Sequence, residues 1–222
     1  MKSIGLIYTV RPVLDSFVPQ LSRLVKGQVT YHNLLDDFLA SDPGLRGCFS
    51  IDNKLRLFND IRNMEMTGAG LIVVTCSTLT PAVEEIRPFI KVPVIAIDDA
   101  MCELAVKSGS RIRVIATARS TVGPTEQHLR ATAVRYGLPL PEIMSSDDSE
   151  AYEAMKRGDM ELHDKHVLQT IADTSGYDVI VLAQASMAHL ADQGTRLSGI
   201  PVLGSVPSCQ ATIAAMLNKE ND

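Results

Sequence analysis

The chain has 222 residues, 45% of them hydrophobic and 21% charged, with a formal net charge of -5 at pH 7. That composition is ordinary for a globular protein with a sizeable core. The negative balance, without any long basic run, excludes nucleic acid as a main partner and points to small-molecule chemistry.

The first ten residues, MKSIGLIYTV, turn polar at Arg11, so the apolar stretch is too short and too poorly flanked for a signal peptide. Residues 4–8 read instead as a first strand. Further short runs rich in Val and Ile follow at 71–75, 92–97, 112–116, 179–183 and 200–203. Such runs look like strands of a parallel sheet buried on both faces. Between them, stretches such as 52–66 and 159–173 carry apolar residues at helical spacing, and strands alternating with helices predict an α/β fold. Gly, Pro or a charge interrupts every apolar run before the roughly 20 residues of a membrane helix, so no membrane partner is expected. Cys48, Cys76, Cys102 and Cys209 form no CxxC pair and no zinc spacing, which suggests reduced thiols and a cytoplasmic protein.

The chain also repeats itself at an offset of 108 residues. Ile4, Ile7, Thr9 and Arg11 recur as Ile112, Ile115, Thr117 and Arg119; Val73 recurs as Val181; Pro93 and Val94 recur as Pro201 and Val202. Three separate matches at one offset imply two similar α/β halves, residues 1–98 plus 206–222 and residues 99–205. The expected architecture is two pseudo-symmetric parallel-sheet domains facing a central cleft. Ligands of open parallel sheets sit beyond the carboxyl ends of the strands, so the loops after residues 8, 75, 116 and 183 should line that cleft.

Cys76 ends the strand 71–75 and is followed by Ser77, Thr78, Thr80 and Pro81. Thr80 reads as the N-cap and Pro81 as the first residue of a helix. A thiol just before a helix N-terminus is expected to ionise more easily than a free one. The free N–H groups there, with the hydroxyls of Ser77 and Thr78, suit a carboxylate. Base and anion site thus lie side by side.

The segment from Val73 through Cys76 to Thr78, its counterpart from Val181 through Gln184, Ala185 and Ser186 to Met187, the stretch from Ala116 to Val122, and Ile200–Leu203 together resemble the aspartate/glutamate/hydantoin racemase superfamily. The resemblance runs nearly end to end. It implies a cofactor-independent enzyme in which two cysteines, one from each half, work on opposite faces of a carbon beside a carboxylate or hydantoin carbonyl. It also implies that Thr9, Ser77, Thr78, Thr117, Thr121 and Ser186, with Ala185 in the same loop, bind the substrate. Here the chain departs from the pattern, because the residue 108 positions beyond Cys76 is Gln184. An amide donates and accepts hydrogen bonds but is neither acid nor base near neutral pH. Some relatives act as decarboxylases with a single thiol, or with a hydroxyl in place of one thiol.

The other chemical side chains read more plainly. Arg11 and Arg119 read as structural or surface residues, with the cleft mouth as the alternative, and His163 and His166, without a third ligand, as lying on a solvated helix face, so no metal is expected. His189 follows the Gln184 loop and reads as a helix-surface residue, with a proton donor near the cleft as the alternative. Asp98 and Asp99 read as a helix start, and Cys48, Cys102 and Cys209 as core or bystander thiols. The leading expectation is a racemase or isomerase with catalytic Cys76 and an orienting Gln184, acting on a small carboxylate or hydantoin. The alternatives are a decarboxylase or other lyase of a malonate-like acid, and a non-catalytic carboxylate-binding protein. A homo-oligomer is compatible with the sequence.

Overall fold

The computed structural model describes residues 3–219; the ends of the expected first half, 1–2 and 220–222, lie outside the described residues. Two compact units divide the chain, Met1–Ile97 with Cys209–Asp222, and Asp98–Ser208. Each contains one four-stranded, all-parallel sheet.

In the first unit the strands are β1 (Ser3–Tyr8), β2 (Thr30–Leu35), β3 (Leu71–Val74) and β4 (Val94–Ala96), in the order β2-β1-β3-β4. Helices α1 (Arg11–Leu21), α2 (Phe38–Arg46), α3 (Ile51–Met66) and α4 (Thr80–Ile86) connect them. In the second unit β5 (Arg111–Ala116), β6 (Glu142–Asp147), β7 (Val179–Leu182) and β8 (Val202–Gly204) take the order β6-β5-β7-β8. Their helices are α5 (Asp99–Ser108), α6 (Arg119–Arg135), α7 (Ser149–Lys156), α8 (Met160–Ala172) and α9 (Ala191–Ser198). A final helix, α10 (Ser205–Lys219), returns the chain to the first unit, where Gln210 Nε2 donates to Phe17 O at 3.0 Å.

The internal repeat is structural. Strands β1, β3 and β4 begin at residues 3, 71 and 94, and β5, β7 and β8 begin at 111, 179 and 202, each 108 later. The pairing register repeats as well, with Ile4 opposite Leu71 in one sheet and Ile112 opposite Val179 in the other.

The inner strands are apolar without alternation because helices cover both faces. In the second unit Val114, Val179 and Val181 pack on Met101, Ala105 and Leu129 of α5 and α6, whereas Ile115, Ile180 and Leu182 pack on Val167 and Ile171 of α8. In the first unit Ile7, Ile72 and Val74 meet Leu57, Ile61 and Met64 of α3. Complete burial of one such side chain stabilises by about 1.5–3 kcal/mol. Gly5 permits a close approach of α3 to β1, since a Cβ there would lie 3.0 Å from Met64 Cβ.

All six strands expected from the sequence are present, with ends shifted by one or two residues. The edge strands β2 and β6 were not expected. Both lack any fully buried residue, so their sequences TYHNLL and EIMSSD carry no apolar run to betray them. Among the described residues no helix is long and apolar enough to cross a membrane. All four cysteines are free thiols.

Candidate active site

In the first unit, β1 and β3 run side by side with Ile7 opposite Val74. Two residues further on, their ends bring Thr9 and Cys76 to the same carboxyl edge of the sheet. Thr75 closes this edge, its N–H and Oγ1 both donating to Ile7 O, at 2.9 and 3.0 Å. Thr9 is buried and Cys76 half-buried. Cys76 has extended backbone angles, φ -137 and ψ 114, and directly precedes a 3-10 turn, Ser77–Leu79, that leads into α4. The expected helix start is therefore corrected: Thr80 is already helical rather than the N-cap, because the tighter turn takes up the first three residues after the thiol. That turn folds the Thr78 hydroxyl back onto the thiol, with Oγ1 3.0 Å from Sγ. Ser77 is buried beside it.

The same edge carries an acidic pair. Asp36 follows β2, where its N–H donates to Tyr8 O at 2.9 Å, and its carboxylate pairs with Arg56 of α3. Burial first, then the hydrogen bond and charge of Asp36, push the Asp60 carboxyl up to about 6, against the lowering charge of Arg56. Nothing in the spacing of residues 36 and 60 announces this pair.

In the second unit Ile115 lies opposite Leu182, and the strand ends bring Thr117 and Gln184 together in the same way. Gln184 reaches sideways rather than outward. Its Oε1 accepts from Thr117 N at 2.6 Å, from Ala118 N at 2.8 Å and from Thr117 Oγ1 at 3.1 Å. Sequence reasoning missed Ala118, since a backbone donor leaves no side-chain signal. Thr121 donates its hydroxyl to Ala118 O at 2.8 Å, tying the first turn of α6 to the same loop. Ala185 and Ser186 open a 3-10 turn, Ala185–Leu190, after Gln184. The Ser186 Oγ is buried without a hydrogen-bond partner among the described residues.

The expected site residues thus gather in two groups, Thr9, Cys76, Ser77 and Thr78 in one unit and Thr117, Thr121, Gln184, Ala185 and Ser186 in the other. Each group lies at the carboxyl edge of its own sheet.

The remaining histidines differ from one another. His163 is fully buried and its Nδ1 lies 2.8 Å from Asp164 Oδ1, which corrects the expectation of a solvated face. The other Asp164 oxygen lies 2.8 Å from Nε2 of His189, which is exposed and paired at the surface. His166 lines a cavity of about 530 Å³ in the second unit with Arg113, Ser146 and Asp148, its Nδ1 3.0 Å from Asp148 Oδ2. Burial opposes ionisation of Asp148, but hydrogen bonds from the Ala151 N–H and His166 outweigh it and hold the carboxyl below its usual range. Arg11 is exposed and paired with Asp15, and Arg119 is exposed.

Comparison with known proteins adds to this geometry. Residues 44–213 match the family model described as Asp/Glu/Hydantoin racemase. A search of curated protein sequences gives no match. Among solved structures, a Yersinia pestis protein assigned to the Asp/Glu racemases superposes with a TM-score of 0.79 at 19% identity, covering 98% of this chain and 100% of that one. The aspartate racemase of Picrophilus torridus gives 0.74 at 16% identity, covering 98% and 95%. An arylmalonate decarboxylase gives 0.60 at 16% identity, covering 97% and 92%. Identities this low carry the fold and nothing finer.

Proposed function

The chain belongs to the Asp/Glu/hydantoin racemase family, and from that premise we propose that it acts without a cofactor on the carbon alpha to the carboxylate of an amino acid or the carbonyl of a hydantoin, with Cys76 as its single catalytic thiol. The observation that carries this reading is the contrast between two equivalent strand ends. One presents a thiol 3.0 Å from a hydroxyl. The other presents an amide whose oxygen is already held by three donors.

In this reading the Cys76 thiolate takes the α-proton, becoming the thiol, and the electron pair delocalises onto the substrate carbonyl. The same thiol, after exchange with water, returns a proton to the carbon. Ser77, Thr78, Thr9, Thr117, Thr121 and Ser186, with Ala185 in the same loop, supply hydrogen bonds to the substrate. Gln184 orients through its amide and transfers no proton. Free thiols throughout are consistent with work in the cytoplasm.

The second reading is a decarboxylase of a malonate-like acid. There the carbon–carbon bond breaks, carbon dioxide leaves, and the Cys76 thiol protonates the resulting enediolate. A single proton donor suffices for that reaction, and the fold is shared with an arylmalonate decarboxylase.

Proton NMR in deuterium oxide over amino acids, hydantoins and substituted malonates tests both. Exchange of the α-proton with retained configuration, faster than racemisation, supports the one-thiol enzyme. Loss of carbon dioxide supports the decarboxylase. Equal rates of exchange and racemisation reveal a second acid or base and reject the one-thiol reading, and no turnover of any class, with binding retained, leaves a carboxylate-binding protein.

A further inference from the structure

Asp98 is the N-cap of α5 and Cys102 lies four residues on, so the first turn of the helix puts both on one face. Helix α6 packs on α5 and brings His128 against them. All three are buried, at 0%, 0% and 2% exposure, and their ligand atoms lie within 4.8 Å of one another. Asp99 adds a second carboxylate, its Oδ1 3.1 Å from His128 Nε2. Carboxylate, thiol and imidazole are the three donor types that a borderline cation such as zinc accepts together.

A second observation comes from α6 itself. Its buried face is polar where a core helix is normally apolar, with Thr125 three residues before His128 and Thr132 four after it, at 0% and 1% exposure. The hydroxyls of both have no hydrogen-bond partner among the described residues. Buried polar groups without partners are rare and call for an unseen water or ion. A hydrated cation bound to His128 answers that need, because its water ligand can bond to a flanking hydroxyl.

We propose that Asp98, Cys102 and His128 form a site for one divalent cation of the zinc type, within the second unit and separate from Cys76. Tetrahedral zinc, with bonds of about 2.0–2.3 Å, holds its ligand atoms about 3.3–3.8 Å apart, so separations within 4.8 Å close by about 1 Å at most on binding. The Cys102 thiol coordinates as thiolate and its proton passes to solvent. A water or the Asp99 carboxylate completes the shell. The ion is structural, tying the N-terminal turn of α5 to α6, and the site does not depend on the reaction assigned to Cys76.

Titration of the reduced, metal-stripped full chain with cobalt(II) tests the site. The expected result is one equivalent bound, with a sulfur-to-cobalt charge-transfer band in the near ultraviolet and the visible bands of a tetrahedral ion, all displaced by zinc. Cys102→Ser should abolish the charge-transfer band and His128→Gln should weaken binding at least tenfold. The band should persist when Cys48→Ser and Cys76→Ser are combined. Failure of the unmutated chain to bind one equivalent, binding without the sulfur band, or loss of the band in the Cys48/Cys76 double variant overturns the proposal. Because these are readings of the unmutated chain or of a variant outside the cluster, they hold even where a buried substitution prevents folding.

Discussion

Gln184 and Thr117 are locked together across two adjacent strand ends, the glutamine Oε1 accepting from both the N–H and the Oγ1 of the threonine at 2.6 and 3.1 Å. With the Ala118 N–H at 2.8 Å, one amide oxygen satisfies three donors, and Thr117 is only 1% exposed. Removing the acceptor leaves nearly buried donors unsatisfied, so Gln184→Ala should lower the unfolding free energy by about 1–3 kcal/mol. Hydrogen exchange at the Thr117 and Ala118 amides should accelerate. Gln184→Glu, which keeps an acceptor in place, should preserve the protection. Unchanged denaturant midpoints and exchange rates in the alanine variant would show that this latch does not stabilise the fold.

Cys76 is the proton-transferring group in the proposed reaction, and Thr78 touches its sulfur. Cys76→Ala should therefore reduce α-proton exchange or decarboxylation by about 10²–10⁴-fold, the usual worth of a general acid or base. Thr78→Val, which keeps the volume and loses the hydroxyl, should cost about 1–3 kcal/mol in the transition state, roughly 5- to 150-fold. Circular dichroism should be unchanged in both. Wild-type turnover by the alanine variant would transfer the chemistry to another residue.

Replacing Gln184 by cysteine restores a thiol at the position 108 residues after Cys76. With a chiral amino-acid substrate, Gln184→Cys should raise racemisation more than exchange, since it supplies an acid that the native amide lacks. Optical rotation and proton exchange followed on one sample give the ratio. A ratio equal to that of the native chain would mean that position 184 has no part in proton transfer.

Asp60 sets a pH dependence in the first unit. Its carboxyl is raised from an ordinary 3.8 to about 6 by burial and by Asp36. The folded state therefore holds the proton more tightly than the unfolded one. The stability this confers is fully present below 3.8 and is lost as the pH rises through about 6. Asp60→Asn removes that loss, so its stability relative to the native chain should rise between about pH 4 and pH 7. Urea midpoints at the two pH values measure the change, and an offset that is the same at both would refute it.

Gly109 stands against Asp178 at the start of β5. A Cβ at Gly109 would lie 2.3 Å from Asp178 Cβ. Asp178 cannot yield freely, because its Oδ2 accepts from the N–H groups of Ser110 and Arg111 at 2.9 and 2.8 Å. The backbone of Gly109 is extended, so the obstacle is space alone. Gly109→Ala should destabilise by about 1–3 kcal/mol, the common cost of overpacking, read as a lower melting temperature. An unchanged melting temperature would show that the Asp178 strand shifts without cost.

The sequence by itself determined the parallel α/β class and the existence of two like sheets, because strands buried on both faces must be apolar throughout and such runs recurred at a constant offset. It also singled out Cys76 and Gln184, since equal registers place equal strand ends at equal positions. The edge strands β2 and β6 escaped notice because solvent on one side and at the ends relaxes the demand for apolar residues. Only the tertiary structure decided what Gln184 bonds to, since its three donors are 66 and 67 residues away in sequence. It likewise decided that His163 is interior and that Asp98, Cys102 and His128 converge. Those contacts arise where one element meets another, and the spacing of residues along a single chain carries no record of which faces meet.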